Sequence, residues 1–230
     1  MCRHLGWLGA PRTLHELVLA GPHSLLVQSY RPRRQRFGLV NADGWGVGFS
    51  GPDGEPARWR STRPLWQDAS FASVATALRS GLVVAAVRSA TEGMPIDESA
   101  TAPFLHDGWL VSHNGRVERS VLPVRPDAES LCDSALLAAH VVAEGVDRIA
   151  DTLLKVAADD PGARLNLLLA RPGRLIATTY GDTLSRICTD AGTLLASEPL
   201  DDDERWTDVP DRHVVEVTPA GLTVTPLESP

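Results

Sequence analysis

Cysteine is scarce in this sequence: Cys2, Cys132 and Cys188 are the only three among 230 residues. An odd, scattered set supplies no disulfide framework. No Cys-x-x-Cys pair occurs and the histidines are dispersed, so no structural zinc site is recognisable, and neither a metal nor a cofactor is expected. Lysine is scarcer still, with Lys155 alone, and the net charge is -7. That balance argues against a general nucleic-acid binder, which is usually basic. Long hydrophobic runs are missing too, and a membrane helix needs about 20 apolar residues. The opening Met1-Cys2-Arg3-His4 lacks the basic, then apolar, pattern of a secretory signal. These absences lead to the expectation of a soluble, cytoplasmic protein with no nucleic-acid or membrane partner.

What is present suits one folded unit, expected to span residues 1–230. A hydrophobic share of 43% builds a large core, and 22% charged residues is an ordinary globular surface. Leu82-Val83-Val84-Ala85-Ala86-Val87 is a short continuous apolar run, which predicts a strand buried on both faces. Further strands are expected at 3–8, at 43–49, at 109–112 and in the alternating C-terminal stretches 165–170, 175–180, 193–196, 214–217 and 222–224. Helices are expected at 13–20, 65–78, 127–143 and 147–156. In the third of these, Leu131, Ala135, Leu136, Ala139 and Val142 form the apolar face and Asp127 is the N-cap. Buried strands flanked by two groups of helices predict an α+β fold of stacked sheets with helix layers outside.

Four groups of residues carry chemistry. Removal of Met1 leaves Cys2 with a thiol and a free α-amine on one residue. A thiol attacks only as thiolate, and an α-amine titrates near roughly 7.7 to 8.0, so it can serve as the thiol's general base. His113-Asn114-Gly115 ends a predicted strand. A carboxamide and a glycine N–H can stabilise an oxyanion, although Asn-Gly is equally the commonest hairpin turn. Arg88, in Arg88-Ser89-Ala90-Thr91-Glu92-Gly93, follows the buried strand, where a guanidinium can grip a carboxylate or simply meet solvent. Cys132-Asp133-Ser134 lies near the start of the long helix. Asp133 there can pair with an ammonium group or merely favour the helix dipole.

Taken in this order, Cys2, Asp43-Gly44-Trp45-Gly46, Arg88-x-Ala90-Thr91-x-Gly93, Asn114-Gly115 and Asp133-Ser134 resemble the class II glutamine amidotransferases. The tail Ala196-Ser197-Glu198-Pro199-Leu200 also recurs in stand-alone members of that family. The resemblance implies a four-layer αββα sandwich of the N-terminal-nucleophile hydrolase type. It implies Cys2 as nucleophile and Asn114 and Gly115 as the oxyanion hole. It implies Arg88 on a glutamyl α-carboxylate, Asp133 on its α-amine, and Ala90, Thr91, His113 and Ser134 around the substrate. Many relatives carry Asn-x-His-Pro where this sequence has Thr101-Ala102-Pro103-Phe104, so Ala102 stands in place of a histidine. The opening Cys2-Arg3-His4-Leu5-Gly6 is similar to the amidohydrolases of ergothioneine biosynthesis within the family. That implies a small-molecule γ-glutamyl substrate, γ-glutamyl-hercynylcysteine sulfoxide, and a methionine aminopeptidase that exposes Cys2. A glutaminase subunit serving a separate synthase, a cysteine acylase of non-glutamyl amides and an inactive binding protein are the alternatives. The first predicts ammonia release from glutamine. The second has no need of both Arg88 and Asp133, and the last has no dependence on Cys2. For the cationic leaving group, Trp45, Trp109 and Trp206, with the acidic run 201–204, are the sequence candidates.

Overall fold

The computed structural model describes residues 2–91 and 93–227; Met1 and Glu92, both of which entered the motifs above, lie outside the described residues. Two antiparallel sheets stack face to face. The first holds seven strands in the order β11-β9-β10-β1-β4-β2-β3 and the second six in the order β13-β12-β8-β7-β6-β5. In chain order these are β1 (Arg3–Thr13), β2 (Trp45–Ser50), β3 (Pro56–Ser61), β4 (Arg79–Val87), β5 (Phe104–His106), β6 (Trp109–Arg116), β7 (Arg164–Arg171), β8 (Arg174–Thr179), β9 (Ser185–Thr189), β10 (Gly192–Ala196), β11 (Thr207–Asp208), β12 (His213–Thr218) and β13 (Gly221–Pro226). The helices are α1 (Leu25–Tyr30), α2 (Ala69–Val74), α3 (Asp133–Glu144) and α4 (Ile149–Asp159).

The two-residue period of a strand sorts the apolar side chains into three layers. On β4, Val83, Ala85 and Val87 face outward and pack with Leu25 of α1, Phe71 of α2 and Leu17 and Val18. Leu82 and Val84 face inward and meet Leu110, Leu168, Ala170, Leu175 and Leu195 between the sheets. On β7, Leu165, Leu167 and Leu169 face the other way, against Ala135, Leu137, Ala138 and Val141 of α3 and Leu153 of α4. Four layers result: helices, sheet, sheet, helices. Each fully buried Leu or Val stabilises the fold by about 1.5–3 kcal/mol relative to exposure. No helix among the described residues is long and apolar enough to cross a membrane.

Several elements differ from the sequence reading. The expected helix at 127–143 begins at Asp133, its N-cap position is Cys132 and no side chain caps it. Residues 127–132 stay outside the helix because Glu129 is engaged elsewhere: its carboxylate binds Arg58 and Arg60 of β3 and accepts from the Leu105 N–H. Leu131 is accordingly exposed rather than part of the apolar face, which is carried by Ala135, Leu137, Ala138 and Val141. The expected helix at 13–20 is only a short π-type turn, His15–Leu19, because β1 continues to Thr13. At 65–78 there is one 3-10 turn, Leu65–Gln67, and then α2.

Candidate active site

Cys2 stands immediately before β1, half-buried, at one end of the sandwich. It lines a narrow cleft of about 20 Å³ together with Ala86, Arg88, Thr101, Ala102, Phe104, His113 and Ser134. Four residues singled out from sequence therefore share one cleft although they come from four separate segments: Cys2, Arg88, His113 and Ser134.

The wall of the cleft is held by the Asp43-Gly44-Trp45-Gly46 run. Asp43 N–H donates to the Arg88 carbonyl at 2.9 Å, Arg88 N–H donates to the Gly44 carbonyl at 2.8 Å, and Ala90 N–H donates to Asp43 Oδ2 at 2.8 Å. A Cβ at Gly44 would lie 2.9 Å from Thr101 Oγ1, and one at Gly46 would collide with the Ala102 carbonyl. Glycine is needed at both positions so that residues 101–102 can close on the site. Ala102 presents only a methyl group to the cleft.

The Arg88 side chain is buried and pinned by backbone carbonyls. Nη2 donates to Pro95 O at 2.8 Å and Nη1 lies 3.5 Å from Asp43 O. Among the described residues it forms no ion pair. Ala90 and Thr91 follow it on a segment that becomes exposed at Thr91. Asp133 sits in the first turn of α3, beside Ser134. Its Oδ2 accepts from Val117 N–H at 3.2 Å and its Oδ1 from Ser134 N–H at 2.9 Å. Its side chain is buried and forms no ion pair among the described residues.

His113 and Asn114 point to opposite sides of β6. The His113 ring faces α3: Nδ1 meets Ser134 Oγ at 2.9 Å and Nε2 meets the Arg164 carbonyl at 2.8 Å. A carbonyl can only accept, so Nε2 carries the proton and the serine hydroxyl donates to Nδ1. Burial pushes this imidazole's pKa down, against the opposing pull of Asp133 and of the Arg164 carbonyl. With both ring nitrogens committed, His113 orients Ser134 and is not a free base. Asn114 faces the space between the sheets, fully buried, with Nδ2 3.4 Å from Ser197 Oγ and 3.5 Å from Asp182 Oδ2. The hairpin alternative for Asn114-Gly115 fails: both residues lie inside β6, in register with Asn166 and Leu165 of β7. At Gly115 a Cβ would run into the Arg164 carbonyl, so packing alone already demands glycine there.

The tryptophans are elsewhere. Trp45 is buried against Phe71 in the outer core. Trp109 starts β6, at the far end of that strand from Asn114, beneath the guanidinium groups of Arg171 and Arg174. Trp206 packs against the outer core of the first sheet and donates to Asp201. None of the three lines the cleft.

This geometry can now be set beside known proteins. The family model for class II glutamine amidotransferases matches residues 18–133. The chain belongs to that family. It is 62% identical, over 99% of its own length and 97% of the relative's, to a Mycobacterium tuberculosis protein named gamma-glutamyl-hercynylcysteine sulfoxide hydrolase. A Mycolicibacterium smegmatis protein of the same name is 60% identical, over 99% of this chain and all of that relative. The amidotransferase fold recurs in a glutamine aminotransferase class-II domain protein from Silicibacter pomeroyi, with TM-score 0.70 at 18% identity and 99% and 100% of the two chains covered. It also recurs in glutamine phosphoribosylpyrophosphate amidotransferase from B. subtilis, with TM-score 0.72 at 13% identity, covering this whole chain and 50% of that one. At such identities the likeness concerns the fold alone. The αββα sandwich of the sequence reading is the architecture found, and the chemistry of the family is amide hydrolysis.

Sequence reasoning passed over four buried polar residues around Cys2: His4, Ser112, Asp182 and Ser197. His4 Nδ1 meets Ser112 Oγ at 3.2 Å, and its pKa falls to about 3 because burial, then His113 and Arg3, oppose a charge. Ser197 Oγ accepts from His4 N–H at 3.0 Å. Ser197 and His4 had a signal, as parts of the Ala196–Leu200 tail and of the opening Cys2-Arg3-His4-Leu5-Gly6; the others become visible through strand register.

Proposed function

We propose that residues 1–230 form one amidohydrolase domain that cleaves γ-glutamyl-hercynylcysteine sulfoxide into glutamate and hercynylcysteine sulfoxide. A methionine aminopeptidase removes Met1. The freed α-amine of Cys2 takes the thiol proton, and the thiolate attacks the γ-carbonyl carbon. The Asn114 carboxamide and the Gly115 N–H stabilise the resulting oxyanion. The ammonium group returns the proton to the leaving nitrogen as the C–N bond breaks, and a γ-glutamyl thioester remains on Cys2. Water, deprotonated by the same amine, then releases glutamate. Arg88 holds the substrate α-carboxylate, Asp133 its α-ammonium, and Ala90, Thr91, His113 and Ser134 complete the pocket. The reaction is placed in the cytoplasm and needs no synthase partner.

One observation carries this reading: Cys2, a buried Arg88 and Ser134 meet in one cleft, in a chain 62% identical over nearly its whole length to a relative named for this hydrolysis. The test compares kcat/KM for γ-glutamyl-hercynylcysteine sulfoxide and for glutamine, on protein whose Met1 removal is verified by intact mass. A preference of at least a hundredfold for the sulfur compound is expected. Equal or better use of glutamine would reject the substrate and favour a glutaminase serving a separate synthase.

A further inference from the structure

We propose that Ser197 and Asp182 are positioning residues that fix which edge of the Asn114 carboxamide faces the reacting carbonyl. The proposal rests on the reading of Asn114 as an oxyanion donor and adds two residues that act through it.

Hydrogen-bond capacity carries the inference. Ser197 is fully buried just after β10. Its backbone N–H donates to the His4 carbonyl at 2.9 Å. Its Oγ accepts from the His4 N–H at 3.0 Å and donates to the His4 carbonyl at 3.3 Å. A serine hydroxyl has one hydrogen and two lone pairs. The hydrogen goes to His4 O and one lone pair to His4 N–H, so toward Asn114 the oxygen can only accept. The second neighbour, Asp182 Oδ2, is a carboxylate oxygen and also an acceptor. Two acceptors beside one end of a carboxamide demand that this end be NH2. The opposite orientation would set the carboxamide oxygen against a carboxylate. The contacts, 3.4 and 3.5 Å, are long. They set direction weakly enough for an oxyanion at ordinary distance to take one of the two hydrogens.

The same two residues tie this amide to the nucleophile. Ser197 grips β1 two residues beyond Cys2, in the first sheet, while Asn114 belongs to the second. Asp182 is anchored by the neighbouring strand: Asn166, the register partner of Asn114, donates through Nδ2 to the carbonyls of Asp182 and Thr183 and accepts from Tyr180 N–H. The Asp182 side chain is fully buried, with Oδ1 accepting from Thr183 N–H and 4.0 Å from Arg3 Nη1. Together with the His4 Nδ1–Ser112 Oγ contact, the Ser197 hydroxyl and the Asp182 carboxylate thus link the strand that follows the nucleophile to the oxyanion donor across the gap between two sheets.

A double-mutant cycle separates this role from a merely structural one. Asp182→Asn is isosteric and removes the acceptor-only constraint, letting the Asn114 amide turn over. Ser197→Ala removes the bridging hydroxyl. Each is expected to lower kcat by about tenfold to a hundredfold, with KM within about threefold. In an Asn114→Ala background the same substitutions are expected to cost less than about twofold, because the group that they orient is gone. An equal loss in both backgrounds, or unchanged kcat in both single variants, would overturn the proposal while leaving the oxyanion reading intact. Full activity of Asn114→Ala alone would remove that reading and this inference with it. Should Ser197→Ala fail to fold, the Asp182→Asn cycle decides.

Discussion

The layer between the two sheets has two halves built by the same strands. β6 places Leu110 in one half and Ser112 and Asn114 in the other; β7 places Leu168 and Ala170 in one and Asn166 in the other. The β10 segment gives Leu195 to the first and, just beyond its end, Ser197 to the second. All are buried, and all follow the two-residue period of a strand. The half around Leu168 is apolar and stabilises the sandwich. The half around Cys2 is a polar interior in which, among the described residues, His4 Nε2 and Asn114 Oδ1 have no hydrogen-bond partner. Each buried polar atom left unpaired costs on the order of 1–3 kcal/mol. The comparison shows that face is set by residue parity and polarity by position along the strand. The polar half is the one that holds the candidate site.

Substitutions that respect this division should separate activity from stability. Cys2→Ala is expected to lower kcat by on the order of 10⁴-fold or more while leaving the thermal midpoint nearly unchanged. Residual activity within tenfold of the parent would move the nucleophile elsewhere. Asn114→Ala is expected to cost about 10²–10³-fold in kcat, read from steady-state glutamate release. Its thermal midpoint should stay level or rise, since a poorly satisfied buried amide is removed. In the apolar half the pattern inverts. Leu168→Ala should destabilise by about 2–5 kcal/mol in urea unfolding, with kcat of the folded protein within about twofold. A large kcat loss there would show that the two halves are not separable.

The smallest effect concerns pH. Both His4 and His113 have folded pKa values below the ordinary imidazole value, His4 at about 3. Below about pH 6.5 the unfolded chain takes up protons at these imidazoles that the folded chain refuses, so stability is full above that pH and declines as pH falls. For His4 the window runs from about 6.5 down to about 3, at up to roughly 1.4 kcal/mol per pH unit. His4→Gln is expected to flatten this slope in thermal unfolding between pH 7 and 4.5. An unchanged slope would mean that the ring is protonated in the folded protein.

Several strands and site residues are legible in the sequence. The apolar run at 82–87 announced the central strand, and the alternating C-terminal segments announced strands that divide between the two sheets. Cys2, Arg88, His113 and Ser134 were legible because each is a chemically distinctive residue beside a motif. The start of α3 was not: Asp127 has the chemistry of an N-cap, but Glu129 is held by two arginines of β3, seventy residues earlier in the chain, and that ion-pair cluster delays the helix. The tryptophans misled because an aromatic beside a motif in sequence points to the other face or the other end of the strand once the pleat is drawn. Asp182 and Ser112 were illegible for a related reason. Their meaning comes from register between strands far apart in sequence, and no local pattern encodes it.

The claim on which all of this turns is that mature Cys2, as thiolate, attacks a γ-glutamyl carbon. The most direct measurement is inactivation by 6-diazo-5-oxo-L-norleucine, an electrophilic γ-glutamyl mimic, followed by intact-mass analysis and peptide mapping. The nucleophile assignment predicts one covalent adduct per chain, located on an N-terminal Cys2, formed only in protein that has lost Met1 and suppressed by Arg88→Gln. An adduct on Cys132 or Cys188, or equal labelling of protein that retains Met1, would contradict it.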